Sequence, residues 1–182
     1  MVYMLLENGF EMCEALAPVD ILRRGGVNIT TVGVSGKTIK SSHGVEVTAD
    51  SEFSETDFSE MEMLIIPGGQ PGVDNLWAND EVRALVAETA EKKIKISAIC
   101  AAPMILSRLG ILDGKKCTCY PSCSDELPKE GFMKDTGVVR DGEITTGRAA
   151  GDAFDFGFAI LASLRGEEVA ESVKRAVCYD KK

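Results

Sequence analysis

The sequence predicts an α/β domain: a mostly parallel central sheet with helices on both faces and a small hairpin. Continuous apolar runs end abruptly in turn residues, as at Met63-Leu64-Ile65-Ile66 before Pro67-Gly68-Gly69. Strands covered on both faces read this way. Between these runs lie stretches whose apolar residues recur three and four apart, the mark of one buried helical face. Strands that alternate with helices imply parallel crossovers. The length of 182 residues suits one such domain, residues 1–182, with no linker, low-complexity tract or internal repeat to divide it.

Val2–Leu6 is a short buried strand stopped at Glu7-Asn8-Gly9. Met12, Ala15, Leu16, Val19 and Leu22 then share one helical face, and Gly25-Gly26 closes that helix with a left-handed cap. Val27–Val34, rich in β-branched residues, is the second strand. After the turn Ser35-Gly36-Lys37, the alternation of Val45 and Val47 with Glu46 and Thr48 marks one arm of an exposed hairpin. Beyond the Met63–Ile66 strand, Asn79 caps a helix whose inner face is Val82, Leu85, Val86 and Thr89. Ile94–Ile99 is the next strand, and it runs straight into Cys100-Ala101-Ala102-Pro103. From there a helix with Ile105, Leu106 and Leu109 stops at Gly110. Short strands are expected at Lys116–Cys119 and within Val138–Thr146, around the turn Asp141-Gly142. A long helix follows with Phe154, Phe158 and Leu161 on one face and Gly166 past its end. The last helix, Glu167–Arg175, runs from acidic to basic, as the helix dipole favours.

Composition narrows the function. With 20 basic and 29 acidic residues the net charge is −9, a repulsive field for nucleic acid and for anionic membrane surfaces. No apolar run approaches the roughly 20 residues that span a bilayer. The N-terminal Met1–Leu6 segment has no basic flank and meets Glu7 at once, unlike a secretory signal, so a cytosolic protein is expected. Its six cysteines then read as thiols. The one histidine, His43, leaves most metal and Cys-His schemes short of ligands. Thiols and carboxylates must carry the chemistry.

The sharpest local feature is Ser97-Ala98-Ile99-Cys100-Ala101-Ala102-Pro103. A nucleophile on a tight strand-to-helix turn needs small residues two positions either side, here Ala98 and Ala102. Pro103 suits a first helical turn, where its missing amide costs nothing. At a helix N-terminus the Cys100 thiolate would be stabilised and its pKa lowered. A plain buried core cysteine fits the local pattern equally well. Pro67-Gly68-Gly69 lets backbone amides approach a ligand as an oxyanion hole requires, although alone it reads as a simple turn. Glu14 borders the apolar stripe of the first helix, and the pattern by itself favours a solvated carboxylate over a buried one of raised pKa. Cys117, Cys119 and Cys123 invite a zinc reading, but the C-x-C start fits zinc poorly and core or cleft thiols fit better. Cys119 or Cys123 alternatively sits near Cys100 as a resolving thiol.

Taken in order, the segments Glu14-Ala-Leu-Ala-Pro18-Val19-Asp20, Leu64-Ile-Ile-Pro67-Gly68-Gly69, Ala98-Ile99-Cys100-Ala101-Ala102-Pro103 and Thr146-Gly147-Arg148-Ala149-Ala150 resemble the ThiJ/PfpI superfamily. The nearer likeness is to its branch with the Parkinson-disease protein DJ-one and bacterial YajL. The resemblance covers almost the whole chain. It implies a flavodoxin-like three-layer sandwich, a homodimer, and no cofactor or metal. It puts the reactive cysteine on Cys100, a protonated helix-one carboxyl beside the sulfur on Glu14, and oxyanion amides on Gly69 and Ala101. For Glu14 this reverses the local reading. Two departures follow from the same likeness. Ala101 stands where protease-like members carry histidine, which argues against a peptidase. Tyr120 stands where many near relatives carry histidine, and with an unperturbed pKa of about 10 it is a poor base. His43 is a surface residue of the hairpin that the likeness places near the dimer interface.

The activity implied is conversion of small reactive carbonyls, methylglyoxal or glyoxal, to 2-hydroxy acids, or removal of such adducts from proteins. Cys100 would be the nucleophile and Glu14 the proton shuttle. The alternative is an oxidative-stress sensor or redox-gated chaperone that works through the same thiol without turnover.

Overall fold

Seven strands form one sheet in the computed structural model, which describes residues 1–180. In chain order the elements are β1 (Val2–Leu6), α1 (Met12–Arg24), β2 (Ile29–Gly33), β3 (Thr38–Lys40), β4 (Glu46–Thr48), β5 (Ser51–Glu52), β6 (Met63–Ile66), α2 (Gly72–Ala78), α3 (Asp80–Glu91), β7 (Lys95–Ile99), α4 (Pro103–Arg108), β8 (Val138–Asp141), β9 (Ile144–Gly147), α5 (Ala153–Arg165) and α6 (Glu167–Ala176). The sheet order is β5-β2-β1-β6-β7-β9-β8. Every pair is parallel except β8 with β9, and β3 and β4 form a separate antiparallel hairpin. The inner parallel strands β2-β1-β6-β7-β9 follow the 2-1-3-4-5 order of the flavodoxin-like sandwich.

The period of two along each strand divides the core between the faces. Leu5, Leu64, Ile66 and Ile96 join Val82 and Val86 of α3 and Ile105 of α4 on one side. Val2, Met4, Leu6 and Ile65 join Val19 and Leu22 of α1 and Phe156, Ile160 and Leu161 of α5 on the other. Both faces of β1 and β6 are therefore apolar, which is why these strands show no polar alternation. α1 and α5 pack closely because Gly157 offers no Cβ: one there would sit 2.7 Å from Ile21 Cδ1.

Two expectations need correction, and one helix was not foreseen. Lys116–Cys119 forms no strand; only Cys117 bridges to Phe132. The helix α2 had no sequence forecast, because its opening Pro71-Gly72 reads as a turn. Phe154 is 46% exposed and stacks on Tyr179 instead of joining the inner face, which Ala153, Phe156, Gly157, Ile160 and Leu161 supply at helical spacing. The Asn79 cap forms as expected, its side-chain oxygen accepting from the amides of Glu81 and Val82. None of the described helices is long and apolar enough to cross a membrane.

Candidate active site

Strand connections diverge between β1 and β6, and in open α/β sheets ligands bind beyond the carboxyl ends of strands at such a point. Three segments meet there: the turn after β1 that leads into α1, the Pro67-Gly68-Gly69 turn after β6, and the junction of β7 with α4. The Glu11 amide donates to the Gly68 carbonyl at 2.8 Å, joining the first two.

The third segment is a strained elbow. Cys100 has φ +66°, the left-handed region that costs a non-glycine residue roughly 1–2 kcal/mol. Its neighbours hold it there. The Cys100 amide donates to the Gly147 carbonyl at 2.9 Å, extending the β7–β9 ladder, and its carbonyl accepts from the Tyr120 amide at 2.8 Å. Ala98 and Ala102 are fully buried, so larger side chains would find no room at the turn. Cys100 itself is half-buried.

Glu14 lies in the first turn of α1 and is 1% exposed. Its Oε2 accepts the Gly68 amide at 3.0 Å. Its Oε1 is buried with no ordinary hydrogen bond. The neighbouring polar group is the Cys100 side chain, and each of the two shifts the other's protonation. Burial pushes the Glu14 pKa up to about 7, against the pull of Cys100; the charge of Glu11 adds to the rise and the Gly68 amide opposes it.

Cys100 corrects the expectation of an acidic thiol. Burial raises its pKa, and the charge and hydrogen bonding of Glu14 raise it further, with only the Ala101 amide pulling it down. The physical reason is that α4 has six residues, too short a dipole to outweigh a desolvated sulfur beside a carboxylate. Near neutrality the thiol therefore keeps its proton, and the carboxyl is the group that gains or loses one.

The glycines fix this geometry. A Cβ on Gly68 would lie 2.5 Å from Glu14 Oε2 and 2.6 Å from Cys100 Cβ. Gly69 has φ +99°, and a side chain there would run into the Glu11 amide. Among the described residues the Gly69 amide has no acceptor, while the Gly68 amide is spent on Glu14. Gly68 was the residue that sequence reasoning missed. The doubled glycine was its signal, but only the second had been assigned a task.

The surroundings are polar and open. Glu11 caps α1 and accepts from Ser42 Oγ at 3.2 Å, with His43 Nδ1 3.4 Å away at the hairpin tip. Tyr120 is 45% exposed. Cys117 and Cys119 are buried, whereas Cys123 is half-buried.

The sequence profile of the DJ-1/PfpI family matches residues 1–163. The chain belongs to that family. It is 32% identical over 174 residues to the Parkinson disease protein 7 homolog of Danio rerio, covering 93% of this chain and 92% of that protein. A Caenorhabditis elegans member named glutathione-independent glyoxalase DJR-1.2 is 28% identical over 172 residues, covering 94% and 91%. The crystal structure of Drosophila melanogaster DJ-1beta superimposes with a TM-score of 0.93 at 29% identity, covering 99% of this chain and 98% of that one. Family membership thus agrees with the fold, and the site's chemistry follows from its own atoms.

Proposed function

We propose that the chain is a cofactor-independent cysteine enzyme that converts methylglyoxal or glyoxal to the corresponding 2-hydroxy acid. The observation that carries this reading is the buried Glu14 carboxyl, one oxygen held by the Gly68 amide and the other buried without a partner, in a group that interacts with the Cys100 thiol. Such a pair moves protons near neutral pH without histidine or metal. The family member named as a glutathione-independent glyoxalase supports the same substrate class.

In the reaction the Cys100 sulfur bonds to the aldehyde carbon while its proton passes to Glu14. The developing oxyanion meets the Gly69 and Ala101 amides and takes that proton, giving a hemithioacetal. Glu14 then takes the proton from the former aldehyde carbon and returns it to the adjacent carbon, while the hemithioacetal hydroxyl proton passes to the ketone oxygen. The thioester so formed is hydrolysed by water, releasing lactate from methylglyoxal and freeing the Cys100 thiol. Deglycation of carbonyl adducts would use the same sulfur and the same proton path.

The deciding experiment measures lactate formed from methylglyoxal without glutathione, in the parent, Cys100→Ser and Glu14→Gln. Turnover in the parent alone supports the assignment. Equal turnover in the Gln variant removes Glu14 from the mechanism, and absence of Cys100-dependent turnover removes the enzyme reading in favour of a redox sensor.

A further inference from the structure

The segment that returns to the elbow carries sulfurs that the carbonyl reaction does not use. The Tyr120 amide is bonded to the Cys100 carbonyl at 2.8 Å, which fastens residues 119–123 against the elbow. The Tyr120 carbonyl accepts from the Cys123 amide at 2.9 Å and from the Cys119 thiol at 3.2 Å, so both cysteines flank it. They differ in access. Cys119 is 1% exposed and Cys117 fully buried, both part of the core cluster. Cys123 is half-buried, as Cys100 is, and packs on the cluster that contains Ala101, Ala102 and Met104. Two backbone bonds, Tyr120 to Cys100 and Cys123 to Tyr120, thus link the Cys123 segment directly to the elbow.

We infer that Cys123 is the resolving thiol for Cys100, capturing its oxidised form as a reversible Cys100–Cys123 disulfide. The inference does not depend on carbonyl turnover. The oxidant is a hydroperoxide. The Cys100 sulfur attacks its distal oxygen, the O–O bond breaks, and the alcohol or water that leaves takes up the thiol proton. Cys100 is then a sulfenic acid. The Cys123 sulfur attacks the sulfenic sulfur, the S–O bond breaks, and the hydroxyl departs as water with the Cys123 proton. Two electrons have passed from the two thiols to the peroxide. An external dithiol restores both by exchange and is itself oxidised to a disulfide.

A disulfide needs its Cα atoms within about 7 Å. The element that must adjust is the 3-10 helix Pro121–Glu126, which is tied down at its far end, where Ser107 Oγ donates to the Glu126 carbonyl at 2.6 Å and Arg108 pairs with the Glu126 carboxylate at 2.7 Å. Cys123 lies nearer the other end, which the Tyr120–Cys100 backbone bond holds against the elbow. Without a resolving thiol, a sulfenic acid proceeds to sulfinic acid, which ordinary thiols do not reverse.

The test treats the reduced full chain with hydrogen peroxide and maps cysteines by peptide mass without reduction. The parent is expected to yield a Cys100–Cys123 linked peptide that dithiothreitol abolishes, and Cys119→Ser is expected to retain it. Cys123→Ser should instead accumulate Cys100 sulfinate at peroxide doses several-fold lower than the parent needs. Equal sulfinate dose curves for the parent and Cys123→Ser would overturn the inference. So would a peroxide-induced bond between Cys119 and Cys123, or between two chains.

Discussion

Replacing Glu14 with glutamine separates the cost of the buried carboxyl from its chemical use. In the folded chain its pKa is about 7, against an ordinary value of 4.5, with burial as the main cause. Between those pH values the folded state holds a proton that the unfolded state has released. The stability this contributes is fully present below about pH 4.5 and is lost as pH rises through 7. A rise of about 2.5 units corresponds to about 3.5 kcal/mol, at about 1.4 kcal/mol per unit, most of which is realised by pH 8. Glutamine is neutral at every pH, nearly isosteric, and keeps an oxygen for the Gly68 amide. At pH 5 the variant should match the parent within about 1 kcal/mol. At pH 8 it should be more stable by about 3 kcal/mol, a rise of roughly 6–12 °C in Tm for a chain of this size. Urea unfolding of both proteins at pH 5 and pH 8 measures the difference, and groups that titrate alike in both cancel. Staying at or below pH 8 keeps the raised Cys100 thiol from contributing. Equal pH slopes in the two proteins would refute the argument, because they would mean that Glu14 is not buried as a proton-holding group.

Three further outcomes follow from the elbow and its neighbours. Gly68→Ala should cost about 1–3 kcal/mol in urea unfolding and sharply reduce lactate formation, because its methyl would intrude on Glu14 Oε2 and Cys100 Cβ. Cys100→Gly should unfold at higher urea than Cys100→Ala by about 1 kcal/mol, since only glycine adopts φ +66° freely; equal midpoints would mean the elbow is not strained. Multi-angle light scattering at micromolar concentration should give a dimeric mass, with α1 and the Ser41–Gly44 hairpin tip at the interface, and a monomeric mass would count against that arrangement.

Much of the fold was readable because local and global signals agree. Met63–Ile66 and Val2–Leu6 read as doubly covered strands and are so, and Asn79 caps the helix its position implied. Lys116–Cys119 misled because buried cysteines and threonine look like a strand, whereas its ladder contact is limited to Cys117 with Phe132. Local pattern placed Glu14 in solvent, since a carboxylate at the edge of an apolar stripe usually is. What buries it is the Gly68 amide on a turn 54 residues away, a long-range contact that helical periodicity cannot register. The protonation of Cys100 was misjudged for a related reason. A helix N-terminus is visible in sequence, but the short length of α4 and the carboxyl from another helix decide the sign.

These two long-range effects resolve how the proposed reaction runs with one histidine. General acid-base catalysis is most effective when the pKa of the group lies near the working pH, the range that histidine occupies unperturbed. His43 does not serve: it sits on the exposed hairpin tip, paired with Glu11 rather than Cys100. Burial instead brings a carboxyl from 4.5 up to about 7, into the histidine range. The same carboxyl raises the thiol beside it, so Cys100 retains its proton until a carbonyl carbon is in place to receive the sulfur. Proton transfer and bond formation are thereby coupled, and loss of the Glu14 carboxylate below pH 7 should slow turnover even though Cys100 is unchanged. A rate profile that rises with an apparent pKa near 7 is the expected signature, and a flat profile from pH 5 to 8 would remove Glu14 from the role of base.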